Sequence, residues 1–513
     1  MKPFHWGYEF DNVISEKGGF DAIITNPPWE TFKPQAKEFF AQYSDLVTKN
    51  KMDIKTFEKQ KKKMLQNKEV ANAWLEYQSQ FPYVILYYRS AEKYQNQISV
   101  VNGRKQGTDI NLYKLFVEQC FNLLRSNGEC GIVIPSGIYT DLGTKQLREM
   151  LFTQTSVSGL FCFENRKTIF EGVHRSFKFV VLTFEKDGET TEFPAKFMRH
   201  DVGELESFPD GETLNISVDI IRRLSPDSIS VMEFKNDVDI AIAQKMAKFP
   251  LLGEKIDEKW NLKLTSEFHM TNDSQLFKTE PGKGILPLYE GKMIEQFTHL
   301  LSKPRYWIEE TEGRKAIIGK NQDNRQILDY QTYRAGFRKI ARNTDSRTII
   351  ATIIPPSFHA ENFQSVLRCS DKISNPPNSK EILLLVALWN SFVVDYGIRF
   401  RVSANVNFFY VYQLPVPRLT EKDPYFNEIV KRAAKLICTT PEFDQLAKET
   451  GLTSHKKGIT DETKRAKLRA ELDGIIAHLY QLTETEFKHI LNTFPLVSDT
   501  LKKATIKAYQ EHS

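Results

Sequence analysis

A short apolar run, Phe20-Asp21-Ala22-Ile23-Ile24-Thr25, breaks without transition into Asn26-Pro27-Pro28-Trp29, and this junction constrains the fold more than any other feature of the chain. Two consecutive prolines fix φ and remove two backbone donors, so neither a strand ladder nor a helix runs through them. The run reads as a buried strand and the break as a stiff loop at its carboxyl end. A polar, lysine-rich helical region follows to about Tyr88. Asn111 to Arg125 places apolar residues at i, i+3, i+4 and i+7, which predicts a helix stopped by Asn127-Gly128. Cys130 to Pro135 is apolar on both faces, as central parallel strands are. Thr144 to Phe152 predicts a helix, and Val157 to Phe163 and Phe177 to Phe184 predict two further strands. The succession is α/β, a partial doubly wound sheet.

The 513 residues exceed one ordinary core, and at roughly 150 residues per domain they predict three or four units. The α/β pattern ends near Lys186, and residues 187–240 read as a connecting region. Residues 241–419 carry aromatics, basic residues and breaks such as Ile354-Pro355-Pro356, the pattern of a mixed α+β domain. From Thr420 to Ser513 the chain reads as helical again.

Composition narrows the function classes. With 41% hydrophobic and 26% charged residues the chain is globular. No apolar run reaches the ~18 residues of a membrane span, and the N-terminus lacks a secretory signal, so a cytoplasmic protein with no membrane partner is expected. Cys120, Cys130, Cys162, Cys369 and Cys438 form no CxxC pair, and the histidines show no ligand spacing. Reduced, buried thiols and no metal are expected. The net charge of +5 is mild, but its distribution is uneven. Eight lysines lie between Lys49 and Lys68, and Arg334, Arg338, Lys339, Arg342 and Arg347 interleave with Tyr333 and Phe337. Such stretches suit DNA phosphates; a solvated helix face is the plainer reading of the first.

The loop carries the chemistry. The Asn26 side-chain oxygen and the Pro27 carbonyl can both accept hydrogen bonds from one amino group, leaving its nitrogen lone pair available to an electrophile. Pro28 stiffens the loop, and Trp29 offers a flat face for a base. A base in a duplex must be flipped out to reach such a pocket. Methyl transfer to a nitrogen so held is a displacement between positioned reactants. Asn375-Pro376-Pro377-Asn378 repeats the tripeptide after a polar segment and without the aromatic, and reads as a plain turn.

Several separate segments resemble adenine-specific (N6) DNA methyltransferases of the long fused restriction–modification, type IIG-like, family. Phe4-His5-Trp6, then Gly18-Gly19-Phe20-Asp21 and Asn-Pro-Pro-Trp, resemble the family's lead-in to its catalytic loop. Asp109 to Phe116 and Gly131 to Asp141 resemble the next helix, strand and loop, and Phe163 to Val181 the late catalytic segment. Leu286 to Lys292, Arg347 to Pro356 and Leu383 to Ser391 are similar to its target-recognition domain, and Glu471 to Pro495 to its end. The resemblance implies that Asn26 and Pro27 orient the adenine amino group and that Trp29 stacks on the flipped base. Phe177 would be a further base contact; a core aromatic on a strand is the competing reading. It also implies S-adenosylmethionine as methyl donor, double-stranded DNA as partner, and a place in a restriction–modification or phage-defence system.

The donor's main binding motif, a Gly-rich loop after a first strand and an acid after a second, has no counterpart before Asp21. The expectation is therefore a C-terminal portion that needs its upstream half, the partner beside DNA being an upstream methyltransferase fragment or a restriction subunit. A non-catalytic DNA-recognition remnant or specificity protein is the alternative. Methyltransferases acting on glutamine side chains of release factors share the loop, but they need no long chain after it.

Overall fold

The structure, a computed structural model, describes residues 4–44, 53–101, 103–105, 108–342, 344–369, 373–402 and 405–512. The chain divides into two compact units, Met1–Asn236 and Asp237–Ser513.

The first unit is α/β, built on a six-stranded mixed sheet. Its strands are β1 (Phe20–Thr25), β2 (Leu124–Pro135), β3 (Thr155–Glu164), β4 (Lys178–Lys186), β5 (Glu192–Arg199) and β6 (Leu214–Ser217), in the order β1-β2-β4-β3-β5-β6. β1 runs parallel to β2, joined through helices α1 (Ile54–Met64), α2 (Lys68–Ser90) and α3 (Leu112–Leu123). β2 leads through α4 (Lys145–Gln154) to β3. β4 then inserts between β2 and β3, antiparallel to both. A parallel return would need a crossover of a dozen or more residues, usually a helix, and residues 165–177 hold only one short 3-10 turn. Phe161, Phe163 and Phe179, buried where β3 and β4 meet, pack with Trp29.

β1 is an edge strand among the described residues, paired with β2 alone. It is far from the buried strand that its composition suggests: Ile24 is 91% exposed. Its register holds because Gly19 and Gly128 let backbones meet closely. A Cβ on Gly19 would stand 2.5 Å from the Leu123 carbonyl oxygen, and one on Gly128 would stand 2.8 Å from that of Phe20. Residues 187–240, expected to connect two domains, instead supply β5 and β6 to the same sheet. Phe193, Ala195 and Ile216 are buried there, which the polar residues between them obscure in the sequence.

The second unit begins with α5 (Asp237–Ala247). Its strands are β7 (Leu264–Thr265), β8 (Ile285–Tyr289), β9 (Trp307–Glu309), β10 (Arg334–Arg338), β11 (Ala351–Ile354), β12 (Phe358–His359) and β13 (Phe363–Val366). They form a three-stranded sheet, β9-β8-β12, and a four-stranded one, β11-β10-β13-β7. Helices α6 (Ser379–Asn390), α7 (Phe392–Arg399), α8 (Phe426–Ile437), α9 (Glu462–Leu479), α10 (Glu484–Asn492) and α11 (Asp499–Glu511) follow. One apolar core joins the four-stranded sheet to these helices, from Phe337 and Ile353 to Leu388, Ile429 and Ile476. The helical C-terminal region thus completes the core of the mixed region rather than folding beside it. Among the described residues no single helix is long and apolar enough to cross a membrane.

Candidate active site

Asn26-Pro27-Pro28-Trp29 leaves the carboxyl end of β1 as expected. The segment after it is fixed by backbone pairing. Leu112 N donates to the Glu30 carbonyl at 2.9 Å, and Phe32 N to the Ile110 carbonyl at 2.7 Å. Pro27 is buried, while Asn26 and Pro28 are exposed. The Trp29 indole N–H donates to the Val133 carbonyl of β2 at 3.2 Å, which sets the plane of the ring. Tyr or Phe at this position lacks that donor.

Phe177, just before β4, lies nearly parallel to Trp29, with ring centroids 5.6 Å apart and planes 10° apart. It is 37% exposed, so it is a rim residue of the site and not an ordinary core aromatic. Phe170 meets Trp29 edge-on at 5.1 Å, and Phe179 lies behind at 5.9 Å. An open cavity of about 440 Å³ results, lined by Asn26, Pro27, Trp29, Glu30, Phe170, Glu171, Val173 and Phe177. That size and its mix of aromatic walls with a few polar groups fit a small planar ligand. Phe170, Val173 and the two glutamates escaped sequence reasoning. The only signal for Phe170, Glu171 and Val173 was membership of the aromatic and basic segment 163–181, and for Glu30 its place directly after Trp29.

Beside this loop, Lys178 pairs with Glu233 at 2.6 Å, and the Tyr139 hydroxyl donates to the same carboxylate at 2.8 Å. Burial holds the Tyr139 hydroxyl well above the ordinary phenol range, so it serves as a neutral donor. Arg148 is buried and donates to the Ile138, Asp141 and Ser228 carbonyls, tying the turn after β2 to the end of the unit.

The basic stretch 334–347 separates into two kinds of residue. Arg334 is fully buried on β10; it pairs with Glu267 and donates to the Ser357 carbonyl. Arg347 lies between Asp473, at 3.6 Å, and Asp395, at 3.9 Å, with its guanidinium 3.4 Å from the Phe392 ring centroid. Neither offers a free face to a phosphate, so the expectation of DNA contact is corrected for both: β10 is buried on both faces from Arg334 to Phe337, and a buried carboxylate pair holds Arg347. Arg338 is mostly covered and donates to the Ile294 carbonyl. Arg342 is exposed and Lys339 half-buried. In the first basic stretch Lys49 and Lys51 lie outside the described residues, and Lys55 to Lys63 stand on α1. Cys369 is exposed, against the expectation of buried thiols, whereas the other four cysteines are buried.

The sheet and the strand-end loop define an α/β unit with an aromatic-lined cavity at the carboxyl end of β1. Residues 1–72 and 82–170 match the family model described as Eco57I restriction-modification methylase. No curated protein matches the chain. Solved structures with some similarity include the type IIG restriction endonuclease BpuSI, at 12% identity over 80% of this chain and 51% of that one, TM-score 0.30. The type IIL restriction-modification enzyme MmeI in complex with DNA matches at 13% over 77% and 53%, TM-score 0.35. A modification subunit of a putative type I restriction enzyme from Vibrio vulnificus YJ016 matches at 14% over 41% and 36%, TM-score 0.23. The chain spans about half the length of these proteins or less.

Proposed function

We propose that the first unit is the acceptor half of an N6-adenine DNA methyltransferase: it holds a flipped adenine while a methyl group is transferred to its exocyclic nitrogen. The observation that carries this reading is the cavity at the end of β1, where Asn26 and Pro27 border an indole whose plane is set by Val133. The amino group donates to the Asn26 side-chain oxygen and the Pro27 carbonyl, and the base lies on Trp29. Two aromatic layers around a base need about 7 Å at van der Waals separation. With 5.6 Å between the ring centroids, Phe177 turns aside as the base enters and closes on its edge.

The residues bordering the cavity do not fit S-adenosylmethionine itself. The lining holds Pro27, which has no backbone donor, and Phe170 and Phe177, whose N–H groups are taken within their own loop, and no glycine is among the lining residues. The donor site is assigned instead to strands that join the free edge of β1, where Ile24 is left bare. An edge with exposed apolar side chains is otherwise a liability that proteins cover. In this reading an upstream methyltransferase fragment supplies those strands. The second unit recognises the DNA target, with Lys339 and Arg342 on phosphates.

The test supplies radiolabelled S-adenosylmethionine and unmethylated mixed-sequence DNA to the chain, with and without that fragment. N6-methyladenine is read by mass spectrometry of the nucleosides. Methylation is expected only with the fragment, and Trp29→Ala should abolish it. Methylation by the chain alone would overturn the division of the site. DNA binding without methylation in either case would favour a recognition protein.

A further inference from the structure

Asn165 stands at the end of β3, where the chain leaves the sheet for the loop that returns as β4. It is completely buried. Its side chain bonds neither the sheet nor a helix; all three of its hydrogen bonds go to the loop's own backbone. The amide nitrogen donates to the Phe170 carbonyl at 3.0 Å and to the Val173 carbonyl at 2.9 Å. The amide oxygen accepts from Phe170 N at 2.9 Å. The backbone N–H of Asn165 closes the base of the same loop on the Phe177 carbonyl at 2.9 Å. One residue therefore satisfies the backbone at 170, 173 and 177, the three positions whose side chains form one wall of the cavity.

We propose that Asn165 is a positioning residue for the base pocket: it fixes the 165–177 loop so that Phe170 and Phe177 face Trp29. This rests on the reading of the cavity as an adenine site. The loop's other polar ties lie toward its two ends: Thr168 N donates to the Asn165 carbonyl and Phe177 N to the His174 carbonyl, both at 2.9 Å, and Lys167 pairs with Asp201 at 2.8 Å. Thr168 and Gly172 take left-handed conformations, at φ 53° and 76°, and Glu171 and Gly172 at its tip are exposed. A side chain that both donates to carbonyls and accepts from an N–H is required, which restricts the position to a carboxamide of this length. Asp matches the shape and keeps the acceptor for Phe170 N, but it turns a carboxylate oxygen toward two carbonyl oxygens. Asn165→Asp thus removes the pin without leaving a cavity.

The experiment uses the full chain labelled with 5-fluorotryptophan. Its six tryptophans give separate fluorine resonances, and Trp29→Phe assigns the one from Trp29. The ligand probe is a single-stranded oligonucleotide with one 2-aminopurine, whose fluorescence falls when the base stacks. In Asn165→Asp the Trp29 resonance should shift or broaden while the other five stay in place. Affinity for the stacked probe should fall about tenfold, the loss of one or two ordinary hydrogen bonds. Unchanged Trp29 resonance and unchanged affinity would overturn the assignment. Should Asn165→Asp disturb all six resonances, Asn165→Ser, smaller and uncharged, is read for the same two outcomes. Trp29→Ala separates the two levels of the argument. If it leaves probe quenching intact, the adenine reading fails, while the fluorine response still decides whether Asn165 holds the loop.

Discussion

Arg347 offers the sharpest contrast between sequence and structure, because a DNA-contact arginine and one largely covered against buried carboxylates respond oppositely to removal. Its guanidinium serves Asp473 and Asp395 and lies on the ring of Phe392. Arg347→Met keeps most of the stem and deletes the charge. Breaking a buried pair by removing one partner costs about 3–5 kcal/mol, and a desolvated cation–π contact adds about 1–2 kcal/mol. A loss of about 4–7 kcal/mol is of the order of a whole domain's stability. The pH dependence has a definite sign. Burial raises the Asp473 carboxyl to about 6, above its unfolded value near 4. Below about pH 4 it is protonated in both states; between about pH 4 and 6 only the folded chain keeps the proton. Asp473 therefore favours folding at low pH, and that contribution is lost as pH rises through about 6. Without Arg347 the carboxyl pKa climbs further, so the deficit of Arg347→Met should be largest at pH 8 and shrink toward pH 5. Asp473→Asn in the same background should recover part of it. Urea unfolding at the two pH values, with duplex affinity measured against salt, checks this. A variant with unchanged stability and a salt slope lower by about 1 would refute the buried role and restore the phosphate contact.

Lys339→Ala and Arg342→Ala should each lower the salt slope of duplex binding by about 0.9 without moving the unfolding midpoint; titration at several salt concentrations tests both. Trp29→Phe keeps a ring but loses the bond to Val133, worth about 1 kcal/mol. Stacking of the 2-aminopurine probe should weaken about fivefold, and an unchanged affinity would deny the indole N–H its orienting role. His359, buried with Nε2 2.8 Å from the Ser365 hydroxyl, is held down to about 4, mainly by burial. Its neutral form supports the fold above about pH 6.5, and that support is lost as pH falls through about 4. His359→Gln should flatten the loss between those values in urea midpoints; the same acid sensitivity in the variant would place its source elsewhere.

The elements of the first unit were legible because their periodicities are unambiguous. Phe20–Thr25, Leu112–Leu123 and Lys178–Lys186 fall within a few residues of the expected strand, helix and strand. Partnership was not legible. FDAIIT reads as a buried strand, yet β1 pairs on one side only among the described residues, because apolar composition records what a strand can bury and not what covers it. The same limit applied to charge. Arg334 and Arg342 look alike in sequence, but Arg334 lies in a strand buried on both faces and pairs with Glu267, while Arg342 lies beyond the strand and stays exposed. Residues 187–240 were hidden for another reason: β6 is short, β5 carries Pro194 and charged residues among its apolar ones, and a polar loop separates the two.

The two Asn-Pro-Pro copies show how context turns one rigid tripeptide into two devices. In both, the prolines stop the preceding segment and leave carbonyls without neighbouring donors. At 375–378 the turn feeds a helix. Asn375 takes a left-handed conformation, and Asn378 caps α6 by accepting from Lys380 N and Glu381 N, while Glu381 reaches back to Asn378 N. The Asn375 amide, the counterpart of Asn26, donates to the Lys259 carbonyl at 2.6 Å, and the Asn378 side chain is taken up by a capping box. At 26–29 the next helical stretch starts only at Ala36, so no helix terminus claims the Asn26 amide. Trp29 then spends its single donor on Val133 and keeps its ring against the cavity. The aromatic after the prolines therefore does more than add a stacking surface. It anchors the loop to β2 through its edge, while its ring lines the cavity beside Asn26 and against Phe177.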